Sequence, residues 1–170
     1  MKNAIILVML LVSSSTHALQ RGESAPDIVL PSTSGENVRL SDYKGSWIVL
    51  YFYPKSFTPG CTVQACSLRD HHEEIEGYGA VILGVSMDDI DVQQAFKKEH
   101  GLPFDLLSDA DKNLSSEFDA LGPDRDRIAR KTFIIDPDGR IAHRFDLVIP
   151  ANHSAEVLAV LDHMTDATNN

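Results

Sequence analysis

Cysteine is scarce in this 170-residue chain, which contains only Cys61 and Cys66. Four residues separate them, so the C-x-x-C pattern of thiol-exchange sites is absent. Positively charged residues are also few: the chain has 15 lysines and arginines and 25 aspartates and glutamates, which gives a formal net charge of −10. An acidic chain of this kind is not expected to bind nucleic acid or an anionic membrane surface. The chain also lacks internal repeats, low-complexity segments and any linker that would divide it.

Clusters of metal-ligating residues are missing as well. His71 and His72 are adjacent, so they face different sides of a helix and cannot reach one ion together. The acidic stretch at residues 109–113 begins like a calcium-binding loop, but Leu114 stands where that loop needs glycine and Ala120 where it needs glutamate. We therefore predict no metal ion and no other cofactor.

The first 18 residues differ from the rest of the chain. Lys2 precedes nine apolar residues, 4–12, and small residues follow as far as Ala18. The apolar run is too short to span a bilayer, and the whole pattern is that of a secretory signal peptide. We predict a signal peptide at residues 1–18 and a single globular domain at residues 19–170. The protein is then expected to be exported, into a periplasm or the medium.

Strand patterns and helix patterns alternate along the predicted domain. The unbroken apolar run at residues 47–53 is typical of a strand that is buried on both faces, and residues 80–85 repeat it. This alternation predicts an α/β fold whose sheet contains parallel strands and is covered by helices on both faces. The predicted segments are a hairpin (27–30 with 37–40), strands at 47–53, 80–85, 106–107, 132–135 and 140–145, and helices at 59–77, 92–100, 111–118 and from 150 onward.

The stretch from Tyr51 to Asp70 carries the candidate chemistry. Pro54 ends the buried strand, and Thr58 and Pro59 are suited to the N-cap and first position of a helix. Cys61 then lies in the first helical turn, beside unpaired backbone N–H groups and the positive end of the helix dipole. This position favours the thiolate, which is the nucleophilic form of cysteine.

Cys66 follows Cys61 on the same predicted helix. On an intact helix, Cα atoms five residues apart lie roughly 8–9 Å from each other, whereas a disulfide rarely joins Cα atoms more than about 7 Å apart. A Cys61–Cys66 disulfide therefore needs the first turns of the helix to unwind. A structural disulfide is the usual role of a cysteine pair in an oxidising compartment, and this alternative stays open. A pair that has to unwind its own helix is better suited to a redox switch.

Two motifs in this stretch resemble a known family. Pro54, Thr58 and Cys61 form P-x-x-x-T-x-x-C, and residues 58–66 form T-P-G-C-T-x-x-A-C. The first resembles the active site of peroxiredoxins, and the second resembles their Q type, also called bacterioferritin comigratory protein. The resemblance extends over nearly all of residues 22–165. It implies a thioredoxin-like fold, with a central mixed sheet flanked by helices and an N-terminal β-hairpin.

The resemblance also implies a reaction for the two cysteines. Cys61 would be the peroxidatic residue, oxidised to a sulfenic acid by hydrogen peroxide or an organic hydroperoxide. Cys66 would be the resolving residue, which closes an intramolecular disulfide with Cys61. A thioredoxin-like dithiol reductant would reopen that bridge. Relatives of this type are often monomers, so a monomer is expected.

Three further residues acquire roles from the resemblance. The Thr58 hydroxyl would hydrogen-bond the thiolate and the peroxide oxygens, and Pro54 would shield the thiolate. Arg130, three residues before Phe133, would stabilise the thiolate and polarise the peroxide. Arg125 and Arg127 are the alternative positions for this arginine.

Two other functions remain compatible with the sequence. One is a protein thiol–disulfide oxidoreductase, although the absent C-x-x-C motif disfavours it. The other is a non-catalytic binding domain with a permanent structural disulfide between Cys61 and Cys66. Peroxide consumption by the wild type and cysteine variants distinguishes these two functions from a peroxidase.

Overall fold

The computed structural model describes residues 19–168, so the predicted signal peptide at residues 1–18 lies outside the described residues. The strands are β1 (Leu30–Pro31), β2 (Asn37–Val38), β3 (Trp47–Phe52), β4 (Ala80–Ser86), β5 (Asp105–Ser108), β6 (Lys131–Ile135) and β7 (Ile141–Phe145). The helices are α1 (Pro59–Asp70), α2 (His72–Gly77), α3 (Ile90–His100), α4 (Asn113–Glu117) and α5 (His153–Thr168), and short 3₁₀ turns lie at Leu40–Tyr43 and Pro150–Asn152.

A five-stranded mixed sheet forms the centre of the fold, in the order β5-β4-β3-β6-β7. β4 runs parallel to both β3 and β5, while β6 is antiparallel to both β3 and β7. β1 and β2 form the predicted N-terminal hairpin. The mixed sheet with flanking helices confirms the predicted α/β architecture.

Both faces of the sheet are buried, as the apolar runs predict. All six residues of β3 are buried. Successive side chains of a strand point to opposite faces of the sheet, so those of β3 belong to two separate cores. Val49 and Tyr51 pack in the core that also contains buried residues of α1, α2, α3 and α5. Ile48 and Leu50 pack in the other core, with α4 and the hairpin. The first of these cores contains Cys61.

The predicted helix at residues 59–77 is two helices. α1 ends at Asp70 and α2 begins at His72, with His71 between them at φ −114° and ψ 17°. The His71 ring nitrogen Nδ1 lies 3.0 Å from the carbonyl oxygen of Ser67. This contact satisfies a carbonyl group in the last turn of α1, where intrahelical partners run out.

Other predicted boundaries differ by a few residues. The hairpin strands have two residues each, because Leu40 already begins a 3₁₀ turn. The helix predicted at 111–118 covers only Asn113–Glu117. Its N-cap residue is Lys112, and the carboxylate of Asp109, three residues earlier, accepts hydrogen bonds from the backbone N–H groups of Leu114 at 3.2 Å and Ser115 at 2.7 Å. In the described part of the chain, no helix combines the length and apolar character needed to cross a membrane.

Candidate active site

Cys61 lies in the first turn of α1, at the end of the loop that leaves β3. Thr58 is the N-cap residue, with an extended backbone at φ −83° and ψ 147°, and Pro59 is the first helical residue. The helix therefore begins where the sequence predicts. The Cys61 side chain is 1% exposed and carries a free thiol. The sulfur is therefore buried and lies at the positive end of the dipole of α1.

Arg130 lies immediately before β6, the strand next to β3, and contacts Cys61 directly. Its guanidinium Nη2 donates a hydrogen bond to Cys61 Sγ at 3.3 Å, and its Nη1 donates another to Gln64 Oε1. Arg125 and Arg127, the alternative positions, have exposed side chains. A fixed cation at this distance stabilises a thiolate over a thiol.

Gly60 allows the guanidinium to come this close. A Cβ atom at this position would lie 3.1 Å from Arg130 Nη2 and 3.9 Å from Pro150 Cγ. The first distance is shorter than an ordinary van der Waals contact. The missing side chain therefore makes room for Arg130 against the first turn of α1.

Gln64 is a site residue that the sequence analysis missed. Its side chain is fully buried and accepts a hydrogen bond from Arg130. Gln64 follows Cys61 by three residues, a spacing that places both side chains on one face of a helix. A polar residue on the inward face of α1 was the signal in the sequence that could have identified it.

The Thr58 hydroxyl bonds within the loop before α1, and its role toward the thiolate and the peroxide oxygens stays a prediction. Its side chain forms no capping hydrogen bond to the helix, and Oγ1 instead donates to the carbonyl oxygen of Lys55 at 2.9 Å. The hydroxyl proton is therefore used within the loop and not at Cys61, while the oxygen keeps its acceptor capacity. Pro54 is half-buried at the end of β3, and its role as a shield stays a prediction.

The loop between β3 and α1 is anchored to the loop that follows β4. The backbone N–H of Ser56 donates to Asp88 Oδ2 at 2.7 Å, and the hydroxyls of Tyr53 and Ser56 are 3.2 Å apart. Phe57 has a left-handed backbone at φ 64°, and its ring packs edge-on against Phe96 with centroids 5.2 Å apart. A non-glycine residue in this conformation is strained and persists because its surroundings fix it.

Cys66 lies one and a half turns after Cys61, half-buried and with a free thiol. α1 is continuous through both cysteines, so the disulfide cannot close in this wound form. Arg69, beside Cys66, donates to the His100 carbonyl oxygen at 2.7 Å and pairs with Asp70 at 2.7 Å. These contacts tie the C-terminal part of α1 to the end of α3.

Comparison with known proteins identifies the family of this chain. Residues 21–144 match the AhpC/TSA family. The chain is 44% identical over 154 residues to Peroxiredoxin Bcp of Bacillus subtilis, and the aligned residues cover 87% of this chain and 98% of that protein.

Solved structures give the same result and confirm the predicted thioredoxin-like fold. Peroxiredoxin Q of Xanthomonas campestris has a TM-score of 0.80 and 32% sequence identity, covering 89% of this chain and 99% of that chain. The Xanthomonas campestris bacterioferritin comigratory protein, studied for its alkyl peroxide reduction activity, has a TM-score of 0.79 and 32% identity, covering 86% of this chain and 98% of that chain. With its buried cysteine and adjacent arginine, the chain belongs to the AhpC/TSA family, in the Q or Bcp group of peroxiredoxins, and is a thiol-dependent peroxidase.

Proposed function

We propose that this protein is an exported peroxidase in which Cys61 is the peroxidatic residue. The observation that carries the proposal is the 3.3 Å contact between Arg130 Nη2 and Cys61 Sγ in the first turn of a helix. The Cys61 thiolate attacks one peroxide oxygen, so that an S–O bond forms and the O–O bond breaks. Cys61 becomes a sulfenic acid, and the other oxygen leaves with the electron pair and takes up a proton as water or an alcohol. Arg130 stabilises the negative charge of the thiolate and of the leaving oxygen.

Cys66 then resolves the sulfenic acid. Its thiolate attacks Cys61 Sγ, the S–S bond forms, and the sulfenic oxygen leaves as hydroxide, which is protonated to water. The step needs residues 61–66 to unwind, and α1 is held at both ends of this segment. Ser67 Oγ lies 2.8 Å from Ser154 Oγ on α5, and Pro150 packs beside Gly60. These contacts favour the wound form, in which Cys61 reacts with peroxide. Unwinding becomes favourable once Cys61 is a sulfenic acid, because the disulfide can then form.

A thioredoxin-like dithiol protein is the proposed electron donor. One of its thiolates attacks the Cys61–Cys66 disulfide, its second thiol releases the mixed disulfide, and the donor leaves oxidised. The signal-peptide pattern of residues 1–18 supports export, and a donor in the same compartment is then required because a bacterial periplasm is kept oxidising. We propose a periplasmic or secreted monomer that needs no metal or other cofactor.

Organic hydroperoxides join hydrogen peroxide as proposed substrates. The alkyl peroxide reduction activity of the Xanthomonas campestris relative supports this, and so does Phe57, whose ring is 44% exposed in the loop before α1. Phe57→Asn is expected to lower the activity toward a lipid hydroperoxide relative to that toward hydrogen peroxide. An unchanged ratio of the two activities means that Phe57 does not select the substrate.

The test follows peroxide loss with a small dithiol for the wild type, Cys61→Ser and Cys66→Ser. Cys61→Ser is expected to be inactive. Cys66→Ser should complete about one turnover per chain, because its sulfenic acid has no internal partner, and then require an added monothiol. Activity in Cys61→Ser would refute the mechanism. Insulin reduction without peroxide consumption would instead indicate a protein disulfide reductase, and a disulfide that persists in mild reductant would indicate a structural bridge.

A further inference from the structure

His153 is a buried titratable residue that the proposed reaction does not use. It is the first residue of α5 and is fully buried, with its ring edge-on to Phe145 at a centroid distance of 5.7 Å. Its Nε2 is joined by a 2.9 Å hydrogen bond to the Thr132 hydroxyl on β6. Its Nδ1 has no hydrogen-bond partner in the described structure. A fully buried imidazole with one nitrogen in a hydrogen bond is suited to holding its partner in place and not to reacting with molecules from solvent.

Thr132 links this ring to the active-site arginine. Arg130 and Thr132 are two residues apart along an extended segment, so their side chains lie on the same face of the sheet. Thr132 is fully buried, whereas residues 123–127, on the other side of Arg130, are exposed. On its C-terminal side, the backbone at Arg130 is therefore fixed by the buried residue Thr132. On its N-terminal side, the backbone continues from an exposed loop.

The charges around the imidazole are consistent with a neutral ring. In the described structure the charged side chains facing it are Arg130 and Glu156, whose Oε2 lies 3.9 Å from Nδ1, too far for a hydrogen bond. Burial, together with the positive charge of Arg130, lowers the pKa of His153 to about 4. At neutral pH the ring therefore adds no second positive charge next to Arg130.

We propose that His153 is a positioning residue of the peroxidase: through its hydrogen bond to Thr132 it fixes the first residues of β6, and so holds the Arg130 guanidinium against Cys61. The inference rests on the proposed roles of Cys61 and Arg130. An arginine side chain has many rotamers, and only a fixed one keeps Nη2 at the sulfur. His153 acts on the reaction through Thr132 and Arg130 in this arrangement.

Thr132→Val tests the inference, because valine keeps the shape of threonine and replaces its hydroxyl with a methyl group that cannot bond to His153. The measurement is the single-turnover oxidation of Cys61 by hydrogen peroxide across pH, in a Cys66→Ser background. We expect the rate constant at pH 7 to fall about tenfold, since small misplacements of a catalytic group have effects of this size or larger. The pH of half-maximal reactivity should rise, because the thiolate loses part of its cation. Thr132→Ser, which keeps a hydroxyl, should restore most of the rate.

Two variants of His153 extend the test. His153→Gln places an amide nitrogen near the position of Nε2 and should retain most of the rate, whereas His153→Leu should behave like Thr132→Val. Ser115→Ala is the matched control, because Ser115 is a fully buried hydroxyl in α4 on the opposite face of the sheet. It should lower stability without moving the pH profile. If His153→Leu does not fold, Thr132→Val decides the question alone.

Wild-type rate and pH profile in a folded Thr132→Val protein would overturn the inference, because the hydrogen bond would then have no effect on the reaction. Failure of the proposed function gives a different result. Arg130→Met would then react like the wild type, or Cys61→Ser would stay active, whatever the Thr132 variants do.

Discussion

Replacing Gly60 by alanine separates the stability of α1 from the reactivity of Cys61. Gly60 is helical, and its backbone does not need a left-handed conformation. Alanine in a helix is therefore expected to stabilise the fold by about 0.5–1 kcal/mol. The new Cβ would lie 3.1 Å from Arg130 Nη2, which has to move away. The prediction is a protein that is more stable and less reactive.

The size of the loss follows from the Arg130–Cys61 distance. Restoring a van der Waals contact at Cβ requires a shift of roughly 0.5 Å. At an effective dielectric constant of about 20, moving a cation from 3.3 Å to about 3.8 Å weakens its attraction to a thiolate by about 0.7 kcal/mol. We therefore expect the rate constant of Cys61 with hydrogen peroxide to fall about threefold.

The assay is stopped-flow oxidation of Cys61 as a function of pH in the Cys66→Ser background, with urea unfolding of the same samples. Gly77→Ala is the matched control, because Gly77 is also helical and has no neighbouring atom within 4 Å of the modified position. It should raise stability similarly and leave the kinetics unchanged. A Gly60→Ala protein with wild-type rate and pH profile would refute the idea that the close approach of Arg130 sets the reactivity of Cys61.

Three further predictions concern other parts of the structure. Ser67→Ala removes the 2.8 Å contact with Ser154 and should destabilise wound α1 by about 1 kcal/mol. Hydrogen exchange in α1 and the rate of disulfide closure should both rise. Unchanged exchange would show that the contact does not hold the helix. For His153 the pKa in the folded state, about 4, lies below its ordinary value, so the unfolded chain binds more protons and stability falls as pH decreases from about 6.5 towards 4. Urea unfolding should show about 2 kcal/mol lost between pH 7 and 5, and His153→Gln should flatten this dependence. Asp109→Ala removes the carboxylate that accepts hydrogen bonds from the first turn of α4, including those from Ser115. It should cost about 2–3 kcal/mol of unfolding free energy with little change in peroxidase rate, and a large loss of rate would show coupling between α4 and the site.

Hydrophobic pattern and turn chemistry made most of the fold predictable. The buried strand predicted at residues 47–53 is found at Trp47–Phe52, and the tight turn at residues 136–139 is found as predicted. The start of α1 at Pro59 was also predictable, because a proline at the first helical position and a capping residue before it are local signals. The break at His71 was not, because it depends on where α1 and α2 pack and not on a helix-breaking residue.

The sequence by itself determined the cysteine at a helix start and its five-residue distance from Cys66, since both follow from local spacing. It also identified Arg130, but only through the resemblance to a family. What the tertiary structure decided is which groups surround the sulfur. Pairing of β3 with β6 brings Arg130 to Cys61 across 69 residues of sequence, and helix packing buries Gln64 against Arg130 and His153 against Thr132. Local patterns contain no information on such long-range contacts, because these depend on strand order and on which helix faces meet.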